Sequence, residues 1–277
     1  MELMQKLVPV CMLGFVLSSM LSMGLGLTLG EIATPLRSVR RVVMSLLANF
    51  VLVPLVALGL AALLRLDEPF GVGLLLLGSA AGAPFLPKLT QLAKGNLAFA
   101  VGLMVLLMVI TVGFLPLVLP LLLSGVSVDS AKIARSLFLL MLLPLAAALV
   151  VKARFPAAAA RTRPILDRIS NLSLIFFTLL LIGVNLNNVL AVFGTRAILA
   201  GLLFIIISFG IGWLLGGPEP DARRVLALGT AQRNIAAALV VAAQSFEDPK
   251  VVVMVIVVAI VGLLILMPLS RRLAPAA

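Results

Sequence analysis

The chain has 277 residues, of which 63% are hydrophobic and only 11% charged, far more apolar than the roughly 45–50% of a soluble domain. Its formal net charge is +11, but the basic residues sit in short segments between apolar runs and form no continuous basic face, so they point to membrane topology and exclude a nucleic-acid partner. Histidine is absent and Cys11 is alone, which removes a disulfide framework, a cysteine-based metal site and the commonest proton shuttle.

Apolar runs of membrane-crossing length, about 20 residues each, predict an all-α integral membrane protein with nine transmembrane helices. In chain order they cover residues 7–29, 42–64, 70–92, 97–123, 133–151, 169–190, 197–215, 224–246 and 251–269. The first lacks a strongly basic start, ends in Gly24, Gly26 and Gly30, and is expected to be retained rather than cleaved. Nine spans put the termini on opposite sides. Arg37, Arg40, Arg41, Lys94, the cations of 152–168, Arg223, Arg224, Arg271 and Arg272 then share one face, which by the positive-inside rule is the cytoplasmic face of a bacterial inner membrane, with the N-terminus out and the C-terminus in.

The segment 152–168, with Pro156, four alanines and Pro164, is the longest polar connection and marks the division of the chain. Leu77-Gly78-Ser79-Ala80-Ala81 resembles Leu228-Gly229-Thr230-Ala231-Gln232. The match carries the third span onto the eighth, so the two copies run in opposite directions, an inverted repeat of the kind found in secondary transporters. The expected organisation is a first repeat over 1–126, an unpaired fifth span with its basic connection over 127–164, and a second repeat over 165–277.

The third span carries Gly82, Pro84 and Pro87 near its centre, and proline removes a backbone donor while clashing with the preceding turn, so this span should be discontinuous. The eighth carries Gly229, Thr230, Gln232, Arg233 and Asn234 at the corresponding depth. The two discontinuous helices are expected to cross, because non-helical backbone at membrane depth persists only where it is buried in protein or lines a wet cavity. Lys88 and Arg233 are the two ionisable residues in the middle of spans, and all ten acidic residues fall at span ends or in loops. Unneutralised central cations suit a small organic anion, to which arginine can offer a bidentate fork. Candidate substrate-binding residues are thus Arg233, Lys88, Gln232, Asn234, Thr230, Asn49, Thr90, Asn185 and Asn188, with Gly82, Pro84, Pro87 and Gly229 as the helix breaks. Met104 and Met108 read as packing residues. No central carboxylate, histidine or cysteine constellation supports an intramembrane enzyme.

Leu92-Ala93-Lys94-Gly95-Asn96-Leu97-Ala98 with the following helix ending in Pro116 and Pro120, Gln232 within Gly229–Asn234, and Asn49-Phe50 ahead of Pro54 together resemble the bile acid:sodium symporter family. The resemblance covers nearly the whole chain, minus the additional first helix of ten-helix members. It implies a panel domain, a core domain with the two crossing helices, and sodium-coupled uptake of organic anions such as bile acids and other carboxylates. The implied sodium ligands do not carry over. The family's Pro-Gly-Gly-x-x-Ser-Asn stands here as Ala81-Gly82-Ala83-Pro84-Phe85-Leu86-Pro87, further ligand positions fall on Ala100 and Met104, and in its Glu-x-Gly-x-Gln-Asn motif the glutamate becomes Leu228 and the asparagine Arg233. Only Gln232 and Asn49 retain suitable side chains. No metal or other cofactor is therefore expected. The leading expectation is a sodium-independent transporter in which Lys88 and Arg233 replace bound cations, embedded in membrane lipid. Sodium coupling through altered ligands and a transport-incompetent sensor of the same fold are the alternatives.

Overall fold

The computed structural model describes residues 2–33, 38–122, 129–184 and 192–275. Twelve helices are named here in chain order: α1 (Glu2–Gly26), α2 (Leu29–Ala33), α3 (Val39–Leu63), α4 (Glu68–Ser79), α5 (Leu86–Leu92), α6 (Leu97–Leu122), α7 (Ser130–Arg154), α8 (Pro156–Val184), α9 (Ala197–Leu215), α10 (Pro220–Ala231), α11 (Ile235–Ser245) and α12 (Pro249–Arg272). Among the described residues, seven helical segments are long and apolar enough to cross a membrane, counting α10 and α11 together.

The helices fall into two groups. In the smaller, α1 runs along α8 and the second half of α7. A Cβ at Gly24 would come within 2.6 Å of both Ala148 Cβ and the Leu145 carbonyl oxygen, so glycine lets these backbones approach. The larger group surrounds α10 and α11, whose combined segment is almost wholly buried between α4, α5, α6, α9 and α12. The groups meet where the start of α7 packs on α6 and α11. There Lys132 Nζ donates to the Gln244 carbonyl oxygen at 2.8 Å, Ser130 Oγ donates to that of Pro116 at 2.6 Å, and Ser136 Oγ bonds Gln244 Oε1.

Two prolines shape long helices without breaking them. Pro54 and Pro144 each follow a π-helical turn, Ala48–Leu52 in α3 and Phe138–Leu142 in α7. A proline ring collides with the carbonyl four residues back, and one wider turn relieves the collision. In α3 this turn carries Asn49, which is fully buried.

The third predicted span is present as two short helices, α4 and α5. Ala80 leaves the helix at φ −95°, ψ 91°, and Gly82 takes φ +81°, where a Cβ would lie 2.2 Å from the Met108 amide nitrogen. Pro87 belongs to the first turn of α5 and helps start that helix, because its missing N–H is one the helix start leaves unpaired in any case. The eighth span is divided at Gln232–Asn234.

Two expectations need correction. Gly229 is no break: it lies inside α10, and a Cβ there would meet Leu86 Cδ2 at 2.9 Å and Leu103 Cδ2 at 3.3 Å, so it is small because α10 presses on α5 and α6. The segment 152–168 is helical apart from Phe155, since the alanines before Arg161 are strong helix formers and outweigh the one bond lost at Pro164. Consequently the sixth span is the inner part of the longer helix α8, and the far end predicted for it lies outside the described residues.

Gly82→Ala should melt at a clearly lower temperature in detergent. The left-handed backbone costs an L-residue roughly 1–2 kcal/mol, and forced overpacking adds roughly 1–3 kcal/mol. Gly113→Ala, whose Cβ would meet nothing within 4 Å, is the control. Equal melting of the two variants would remove the close approach at Gly82 as a constraint.

Candidate functional site

The non-helical link between α4 and α5 and that between α10 and α11 touch. The Asn234 amide donates to the Ala80 carbonyl oxygen at 2.9 Å, a backbone bond between the two breaks. The next residue of the first break, Ala81, also finds partners for its backbone groups. Thr111 Oγ1 accepts from the Ala81 amide at 3.0 Å and donates to the Ala81 carbonyl at 3.1 Å, so one hydroxyl on α6 satisfies both polar groups of that residue. Asn234 Oδ1 accepts from the Ala237 amide at 3.1 Å and caps the start of α11.

Arg233 fills the space between the breaks and is 3% exposed. Its Nε donates to the Leu77 carbonyl oxygen at 2.9 Å and its Nη2 to that of Gly78 at 2.7 Å. Nη1 donates to Asn49 Oδ1 at 2.7 Å and to the Thr230 carbonyl oxygen at 3.1 Å. Leu77 and Gly78 belong to the last turn of α4, and Thr230 to the last turn of α10. The final carbonyls of a helix have no partner within it and carry the negative end of its dipole. The guanidinium thus sits where two such ends converge. Asn49 is held by its Nδ2, which donates to the Ser45 carbonyl at 3.0 Å and to Thr230 Oγ1 at 3.3 Å.

This arrangement changes the expected role of Arg233. Four of the five guanidinium N–H groups thus meet protein acceptors, so in this conformation the fork is committed to the helix ends rather than to an anion. Arg233 and Gln232 line a cavity of about 10 Å³ together with Leu77, Ile205, Val258 and Gly262. That is room for about one water molecule and far below the roughly 300 Å³ of a ligand pocket. Ser79 Oγ and Asn234 Nδ2, both buried, lack a hydrogen-bond partner.

The remaining expected residues are spread more widely. Thr230, Gln232, Asn234 and Asn49 are gathered around Arg233. Lys88 is exposed on α5, its side chain has no hydrogen-bond or ion-pair partner among the described residues, and it is not brought into the buried cluster. The reason is helical phase: Leu86, Leu89 and Thr90 face the core, so Lys88 and Gln91 face outward. Thr90 is buried near Gly95 and Val225, two turns along α10 from the break. Asn185 and Asn188 lie outside the described residues. Thr111 and Ser45 were missed by sequence reasoning. Their only signal is a hydroxyl within an apolar run, which serines and threonines bonded to their own helix share.

Arg233→Leu should destabilise the protein more than Arg233→Lys. Leucine leaves buried acceptors unpaired at roughly 1–3 kcal/mol each, whereas lysine keeps the charge and reaches some of them. Asn49→Ala, which removes one of the four acceptors, should fall nearer wild type. A wild-type melting temperature for Arg233→Leu would show that the cation does not hold the breaks together.

Residues 11–192 match the family model described as the Sodium Bile acid symporter family. The "Uncharacterized sodium-dependent transporter YocS" of Bacillus subtilis is 29% identical over 205 residues, covering 71% of this chain and 60% of that protein. The "Probable sodium/metabolite cotransporter BASS6, chloroplastic" of Arabidopsis thaliana is 30% identical over 204 residues, covering 70% of this chain and 50% of that protein. A rice relative, "Probable sodium/metabolite cotransporter BASS2, chloroplastic", is 27% identical over 245 residues, or 87% of this chain and 58% of that protein. The chain thus spans about half to three-fifths of the length of these relatives.

Proposed function

The chain belongs to the Sodium Bile acid symporter family, a family of integral membrane transporters rather than enzymes, and we propose that it is a secondary transporter of small organic anions that works without bound sodium. The observation that carries this reading is the Arg233 guanidinium, bonded to the Leu77, Gly78 and Thr230 carbonyls and to Asn49. Backbone carbonyls and side-chain amide oxygens are hard-cation ligands. In this chain a covalently attached cation takes them. The carboxylate that a second ion site needs is missing too, since Leu228 stands in the motif where the family carries glutamate.

Lys88 and Arg233 then divide the work. Arg233 supplies the permanent positive charge that holds the breaks in register. Lys88, exposed and without a partner, is free to meet the anion. Gln232 and Asn234, the latter with its unpartnered side-chain Nδ2, are the polar contacts the substrate would gain once the groups part, with Thr230 and Asn49 behind them. Alternating access is rocking of the α1–α7–α8 group against the rest, with spans one to four and six to nine related as inverted repeats, the N-terminus out and the C-terminus in. Such motion must open the contact of Lys132 and Ser136 with Gln244.

The deciding experiment measures thermal stability of the purified protein against carboxylates and sulfonates, cholate among them, in sodium and in choline buffer. Equal stabilisation in both buffers is expected, lost in Lys88→Gln without loss of folding. The names of the relatives favour a second reading, sodium coupling through altered ligands. Stabilisation that requires sodium would establish that reading and overturn ours.

Lys132→Met should release the outer contact. In a Cys11→Ala background, a cysteine at Ser136 would label faster with a hydrophilic thiol reagent when Lys132 is replaced. Unchanged labelling would show that this contact does not gate the protein.

A further inference from the structure

The two faces of α8 differ in how their charges are satisfied. On the inner face, the Arg163 guanidinium lies over Gly26, where a Cβ would come 2.6 Å from its Cζ. Its Nε is 3.9 Å from Asp167 Oδ2, and Asp167 Oδ1 accepts from Ser22 Oγ. This network ties α8 to α1 and uses the only acidic residue of the helix.

The outward face carries Arg161, Ile165, Arg168, Leu172, Ile175 and Leu179. The spacing alternates four and three residues, so at about 100° per residue these positions form one stripe. The four apolar members are each more than half exposed, at 58%, 55%, 54% and 60% in chain order. Arg161 and Arg168 are exposed and, among the described residues, without an acidic partner. Just before α8, the last turn of α7 adds Lys152 and Arg154, and Phe155 at the turn is 62% exposed.

In an integral membrane protein an exposed apolar stripe on a long helix finds its apolar partner in acyl chains. The lipid whose chains run along Leu172, Ile175 and Leu179 has its headgroup at the level of the two arginines. They are seven residues apart, about 10 Å along the axis, a gap two arginine side chains close around one phosphodiester. Guanidinium forks match phosphate oxygens in geometry as well as charge. A zwitterionic headgroup brings its own cation into this cluster of positive side chains, whereas a net-anionic one does not.

We propose that the outward face of α8 binds an anionic phospholipid, with its phosphate held between Arg161 and Arg168 and its chains along the apolar stripe. The assignment rests on no feature of the helix breaks and is independent of the transport reading.

The test is native mass spectrometry of the protein taken from bilayers containing equal amounts of palmitoyl-oleoyl phosphatidylglycerol and the corresponding phosphatidylcholine. Wild type should retain phosphatidylglycerol several-fold over phosphatidylcholine. Arg161→Gln/Arg168→Gln should lose that preference, and Arg271→Gln/Arg272→Gln, which removes as much charge from the end of α12, should keep it. Should the first double variant not purify as a single species, wild type extracted at about 0.5 M salt, where screening shortens to a few ångström, should show a reduced preference. Equal retention of the two lipids by wild type, or an unchanged preference in Arg161→Gln/Arg168→Gln, would overturn the assignment.

Discussion

A guanidinium sealed from water needs acceptors on every edge, and the supply of those acceptors organises the centre of this protein. An intact helix spends its carbonyls on itself. Only a helix that stops within the protein frees its last carbonyls and points the negative end of its dipole inward. The end of α4 and the end of α10 do this side by side. Without a cation between them the two ends would repel across a medium of low dielectric, and without the ends Arg233 would be an unpaired buried charge. The breaks and the arginine therefore require each other.

Glycine and threonine complete what the charge begins. Gly82 lets the unwound backbone lie against the Met104 and Met108 peptides of α6, where no Cβ fits. Thr111 then pairs the amide and carbonyl of Ala81 from the same helix. These contacts fix the carbonyls at a spacing that the guanidinium spans. Small residues act likewise one layer out. Gly212 brings α9 onto α10 at Leu226, Ala227 and Thr230, and Gly73 brings α4 onto α12 at Val251 and Met254. In a lipid-surrounded bundle, where apolar burial gives little preference for one packing over another, such close approach is a main source of helix association.

Much of this was legible in the sequence because the signals were local. Gly82 and Pro84 sit in the non-helical link between α4 and α5, and the position of Arg233 in an otherwise apolar span marks it as a residue that must be satisfied. What the sequence concealed was direction. Lys88 and Arg233 both fall within apolar runs, but Lys88 has the phase of the outer face of α5, and a seven-residue helix is too short for its pattern to declare a face beforehand. Gly229 looked like a break because glycine disfavours helix, yet its neighbours Leu86 and Leu103 come from other segments. The 152–168 segment was misjudged for a related reason: its prolines resemble loop punctuation, while the alanines between them carry the helical preference that prevails.

A bound ion and a tethered one impose different thermodynamics on the same fold. An ion that binds the folded state stabilises it in proportion to its occupancy, so such a site depends on concentration. A guanidinium on the chain is present at full occupancy on both sides of the membrane and at every step of a cycle, and it can carry no energy from an ion gradient. On the proposed reading, the driving force must then reside in the substrate itself or in the membrane potential acting on it. The fixed charge also makes the two limbs of the cycle unequal. A monoanion held by Lys88 offsets one of the two charges of the site, whereas the empty site carries both Lys88 and Arg233 through whatever part of the field the motion spans. On the proposed reading, a single residue at position 233 stands where an ion could bind and leave, and so takes the ion out of the coupling.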